Sequence, residues 1–135
     1  MSDASQLDLV LERIDADFDG SLERLFALLR IKSISADPAF AQDCKQAADH
    51  LARDIASIGF SADARPTAGH PAIVAKSNGK GNGGGASRPH VLFYGHYDVQ
   101  PVDPLELWHR PPFEPAVAEH ADGRKIIVAR GAEDD

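Results

Sequence analysis

Two continuous apolar runs that each lead into glycine constrain this chain more than any other feature. Val91-Leu92-Phe93-Tyr94 runs into Gly95, and Ile126-Ile127-Val128-Ala129 runs through Arg130 into Gly131. A run with no polar alternate has no face to give to water. Each therefore reads as a strand buried on both sides, as in a largely parallel sheet covered by helices. The rest of the chain offers those helices. Leu7, Val10, Leu11, Ile14 and Phe18 recur at helical spacing with Asp8, Glu12, Arg13 and Asp15 between them, which predicts a helix with one buried stripe. Asp19-Gly20-Ser21 punctuates it. A second helix carries Leu22, Leu25, Phe26 and Leu29 on one face, either as a separate element or as a continuation kinked at Gly20. It should stop near Ser33 to Pro38. A third, from about Ala41 to Ile58, has Cys44, Ala47, Ala48, Leu51, Ile55 and Ile58 as its stripe and Gly59 as its C-cap.

Phe60–Ala64 and Pro71–Lys76 read as short strands. Residues 77–87 hold five of the eleven glycines and read as a flexible hairpin connection. Residues 101–120 carry five prolines and read as an irregular excursion. Helices followed by strands and loops give an α/β layer architecture with a mostly parallel central sheet.

Length and charge narrow the function. The chain has 135 residues, enough for one domain, and 21 acids against 14 bases leave a net charge of −7. An acidic balance without a basic cluster argues against nucleic acid and anionic membranes as partners. The longest apolar run, Leu25 to Leu29, is too short to span a bilayer. The start, Met1-Ser2-Asp3-Ala4, lacks the basic and apolar regions of a secretory signal, and the lone Cys44 fits a reducing compartment. The expected location is the cytoplasm. Cys44 lies on an apolar stripe, so it reads as a small core residue.

Gly79-Lys80-Gly81-Asn82-Gly83-Gly84 formally matches a dinucleotide loop. That loop must open a helix whose amides meet the phosphates, and here Arg88-Pro89 and a strand follow instead. His96 and Asp98 carry more chemistry. They stand two apart after Gly95, so in extended chain they share a face. A metal-bound histidine usually donates its other ring N–H to a carboxylate, and this pair has the composition for that. On spacing alone, a surface histidine beside a turn-forming aspartate is the favoured reading. Glu133-Asp134-Asp135 places three carboxylates side by side, which a divalent cation would stabilise; a solvated acidic stretch is the plain alternative. His50, His70, His90, His109 and His120 show no ligand spacing, and Trp108 and Phe113 read as packing anchors.

Taken together, Tyr94-Gly95-His96-Tyr97-Asp98-Val99-Gln100-Pro101, then Leu107-Trp108 with Pro111-Pro112-Phe113-Glu114-Pro115, then Ala129-Arg130-Gly131-Ala132-Glu133-Asp134-Asp135, resemble the co-catalytic di-zinc metallopeptidase and deacylase family. That family includes carnosinase-like dipeptidases, acetylornithine deacetylase, succinyl-diaminopimelate desuccinylase, aminoacylases and glutamate carboxypeptidases. Leu28-Leu29-Arg30-Ile31-Lys32-Ser33-Ile34-Ser35 also resembles its first helix and loop. The long His-Tyr-Asp-Val-Gln-Pro form resembles the dipeptidase branch.

The resemblance implies hydrolysis of the amide bond of dipeptides or N-acyl amino acids. It implies His96 as a terminal zinc ligand, Asp98 as the residue that orients His96, and Asp134 as the bridge between two zinc ions. Cobalt or manganese would also suit such ligands. A cis bond is implied after Asp134. The family pattern continues into Lys-Gly, a Glu-Glu pair supplying the general base and a ligand, a further acid and a later histidine. Residues 1–135 are thus expected to be the N-terminal part of a catalytic domain, ending inside the second motif and inactive alone. A parent enzyme would be a homodimer through a separate lid domain. A non-catalytic truncated paralogue that binds a partner, or a mononuclear metal module, are the competing expectations.

Overall fold

Helix α3 (Ala41–Ser57) is where the chain packs most closely. Its inward stripe is built from small residues, and Cys44, Ala47 and Ala48 are each 0% exposed. Small side chains let the helix lie close on the hairpin that follows, β1 (Phe60–Arg65) and β2 (Ala72–Ser77). These strands pair antiparallel, with Phe60 opposite Ser77 and Arg65 opposite Ala72. Gly59 has φ +96° and joins α3 to β1, as its position after the last apolar residue predicts. Asp37 opens a short 3₁₀ turn, Pro38–Phe40, that leads into α3: its carboxylate accepts from the Ala39 amide at 2.9 Å. The computed structural model describes residues 3–77 and 91–133. The glycine-rich connection, the Asp134–Asp135 bond and Asp134 itself lie outside the described residues.

Ahead of α3 stand α1 (Asp3–Ala16) and α2 (Phe18–Leu29). The break falls at Asp17, not at Gly20. Gly20 is inside α2, and a Cβ there would meet Asp17 Oδ1 at 3.0 Å. The glycine leaves room for the Asp17 side chain while the helix continues past it. The second helix also stops earlier than the sequence suggests, at Leu29. Phe26 and Leu29 are buried, joined by Ile31 and Ile34. The stripe of α1 is helical as predicted but not buried: Leu7, Val10, Leu11, Ile14 and Phe18 are 50–60% exposed. Periodicity identifies the apolar face of a helix; it does not supply the surface that covers it.

The second hairpin is β3 (Ala116–Glu119) with β4 (Lys125–Val128), antiparallel, closed by a turn with Gly123 at φ +83°. β3 lies inside the proline-rich excursion, where no strand is expected from the sequence. The run at 126–129 is therefore a hairpin strand. The α/β class stands, but the described sheets are two antiparallel pairs, and the mostly parallel centre is not formed among these residues. The parallel pairing that is present is an isolated bridge, Ile34 to Val99. Val91–Tyr94 corrects the sequence reading outright. These residues form no strand and are 86–93% exposed. A doubly apolar strand needs hydrogen-bonding neighbours, and the described strands are each paired with one another instead.

Candidate metal-site half

The segment after α2 acts as a rail for the His96 motif. Ser33-Ile34 leads into a turn at Ser35, and the neighbour of this segment is Tyr97-Asp98-Val99. The Val99 amide donates to the Ser33 carbonyl at 3.0 Å. The Ser33 hydroxyl, on a buried residue, donates to the Tyr97 carbonyl at 2.8 Å. The Tyr97 hydroxyl reaches across to the Pro71 carbonyl at 2.7 Å, tying the same turn to the start of β2. Backbone polar groups are thus satisfied without a full sheet.

Asp98 sits between two partners. Its Oδ2 accepts from the Ser35 hydroxyl at 2.6 Å, and its Oδ1 lies 3.3 Å from His96 Nδ1. The backbone carbonyl of Asp98 is also 2.9 Å from His96 Nδ1. Both neighbours of that nitrogen are acceptors, so Nδ1 carries a proton. The pairing expected from spacing is therefore present, with the backbone sharing the role of the carboxylate. The Ser35 hydroxyl is the main reason that Asp98 titrates below the ordinary carboxylate range; its own backbone and His96 add to this, and partial burial opposes it. Burial raises the Tyr97 phenol, helped by Cys44 and Asp98, and burial likewise raises the Cys44 thiol, helped by Asp98 and Asp43. Cys44 is a core residue as predicted.

The second motif meets the first at Val99. Gly131 has φ +75°, and a Cβ built there would lie 2.7 Å from Val99 Cγ1 and 3.7 Å from Leu29 Cδ2. Only glycine allows both the left-handed conformation and this approach. Arg130 fixes the same turn from the other side. Its amide donates to the Pro112 carbonyl at 2.7 Å, its guanidinium donates to the Pro101 carbonyl at 3.0 Å, and it stacks 4.9 Å over the Trp108 ring. Trp108 Nε1 donates to the Val102 carbonyl at 2.9 Å, so the indole is the packing anchor that the sequence suggests. A cleft results, with Leu28, Ser33, His96, Asp98, Gly131 and Glu133 among its walls.

His96 and Asp98 thus come together, and the second motif comes beside them. Among the described residues, no group of three or more His, Cys, Asp or Glu side chains is placed to hold a metal ion. His96 nonetheless has the chemistry of a ligand: with Nδ1 engaged by two acceptors, Nε2 is the nitrogen that a metal ion would take. The contributions of Ser33 and Ser35 are not readable from spacing. They lie more than sixty positions before their partners, and a serine flanking a turn carries no pattern of its own. His70 is a second surprise, its Nε2 lying 3.0 Å from the Ser35 carbonyl.

Similarity to known proteins gives this arrangement a context. No family model matches the chain. The Cys-Gly metallodipeptidase dug1 of Schizosaccharomyces pombe is 30% identical over 96% of this chain and 27% of its own length. The succinyl-diaminopimelate desuccinylase of Acidovorax ebreus is 32% identical over 79% of this chain and 27% of its own. The solved dipeptidase Dug1p from Saccharomyces cerevisiae superimposes with a TM-score of 0.74 and 26% identity, covering 93% of this chain and 27% of that one. The chain is thus homologous to a dipeptidase-like metallopeptidase and to desuccinylases, hydrolases by name, and it spans about a quarter of the length of these relatives. No helix among the described residues is long and apolar enough to cross a membrane.

Proposed function

We propose that residues 1–135 are the N-terminal part of the catalytic domain of a cytoplasmic, dimeric di-zinc hydrolase that cleaves dipeptides or N-acyl amino acids. The observation that supports this most is Asp98 held between Ser35 and His96, beside the Gly131 turn. In this reading His96, through Nε2, and Asp134 would hold the metal ions, and Asp98 would orient the imidazole. Zinc suits this ligand chemistry, and cobalt or manganese could replace it. Bound metal would supply polarisation of the scissile carbonyl and a water acidified towards neutrality. The chain's own part is to hold the imidazole still and to bring the two motifs together through Val99 and Gly131. Two ligands do not close a zinc site, so this segment alone is expected to be inactive.

The names of the relatives supply the substrates to try. Protein carrying this chain should hydrolyse Cys-Gly or an N-succinyl amino acid when Zn²⁺, Co²⁺ or Mn²⁺ is added. His96→Ala should lower kcat/KM about a thousandfold, since loss of a Lewis acid removes several kcal/mol of transition-state stabilisation. Hydrolysis that survives His96→Ala unchanged would sink the assignment.

A further inference from the structure

We propose that Ser35 is a positioning residue of this site, acting on His96 through Asp98; the functional side of the proposal rests on the metal-site reading above. Asp98 is a short, half-buried side chain with two oxygens and several accessible rotamers. For Oδ1 to face His96 Nδ1, the other oxygen must be anchored elsewhere. Ser35 provides that anchor at 2.6 Å, the shortest contact Asp98 makes. The hydroxyl is itself held in place. The parallel Ile34–Val99 bridge holds the two segments side by side, and the chain turns at Ser35, where the hydroxyl meets Asp98. Ser33 fixes the same register twice, through its carbonyl and its hydroxyl. His70 donates from Nε2 to the Ser35 carbonyl, because a carbonyl can only accept. The backbone on both sides of the hydroxyl is thereby constrained, and its direction follows.

The backbone carbonyl of Asp98 also accepts from His96 Nδ1. Loss of the Ser35 hydroxyl should therefore weaken the tautomer preference of His96 without abolishing it. It should release the Asp98 side chain much more completely. The two effects separate this role from a purely structural one.

The test uses the chain with Ser35→Thr and Ser35→Val. These side chains share a shape, and only the first keeps a hydroxyl. Two spectroscopic readouts need no metal. Hα–Hβ couplings report the Asp98 rotamer, and long-range ¹H–¹⁵N spectra report the His96 tautomer. Ser35→Thr should keep the wild-type pattern. Ser35→Val should average the Asp98 couplings and lower the Nδ1-protonated fraction of His96. Thr and Val variants with the same Asp98 couplings and the same His96 tautomer would overturn the proposal. Co²⁺ titration adds the functional arm: affinity should fall about tenfold in the Val variant relative to the Thr variant, as when a partner of a metal-ligating histidine is lost. A chain that takes up no Co²⁺ in any variant counts against the metal reading, while the rotamer and tautomer spectra still decide the role of Ser35.

Discussion

Val91–Tyr94 and His96–Val99 are two halves of one motif, and they differ in almost every structural respect. The first half is the more hydrophobic, yet its side chains are almost wholly solvent-exposed. The second half mixes histidine, tyrosine and aspartate, yet it is hydrogen-bonded to the Ser33–Ser35 rail through backbone and side chains alike. Apolar content provides a driving force only where another surface arrives to be buried with it. The polar half found its partners in a segment that folds back from the end of α2. The apolar half has no strand beside it among the described residues.

Substitutions can break or sharpen this contrast. The largest effect should come from Gly131→Ala, where a methyl group meets Val99 in a backbone conformation that alanine resists. Urea unfolding should show a loss of about 3 kcal/mol, and a neutral result would mean that the two motifs do not meet as described. Next comes Cys44→Ser, which puts a hydroxyl into the closest-packed part of α3. A loss of about 1.5 kcal/mol is expected by the same measurement.

A smaller effect concerns acid. The folded state holds the Asp98 pKa below its unfolded value, chiefly through Ser35. Above about pH 4 the carboxylate is ionised in both states and the stabilising contribution is complete. As pH falls through the lowered folded-state value, the contribution is lost. With the Asp98 side chain 41% exposed, solvent screening keeps this slope shallow. Urea midpoints should therefore fall slightly more steeply with acid in wild type than in Ser35→Val; parallel curves would contradict the Ser35–Asp98 bond.

The smallest change should be Phe93→Ser. It removes a whole aromatic ring, yet stability should move by less than about 0.5 kcal/mol because the ring is already 92% exposed. A loss of several times that size would show that the run is covered in solution.

The three helices, the two short strands after α3, the C-cap at Gly59 and the core position of Cys44 were legible, because each rests on local periodicity or on a backbone requirement of one residue; the pairing of those two strands with each other was not, since the hairpin connection was expected at 77–87. The His96–Asp98 pairing was legible for the same reason, two positions apart being within reach of extended-chain geometry. β3 was hidden among prolines, which mark irregular chain even when a short strand lies between them. Burial was misjudged for α1 and for Val91–Tyr94, since a pattern names the side that wants cover and not the surface that provides it.

By itself, then, the sequence determined the local elements and the chemistry of one turn, because both depend on neighbours along the chain. The tertiary structure alone decided that Ser35 would hold Asp98, that Gly131 would lie against Val99, and which apolar faces would be covered. Those outcomes depend on pairs of residues far apart in sequence, where the entropy of closing the loop is offset only by contacts that form once the whole fold is in place.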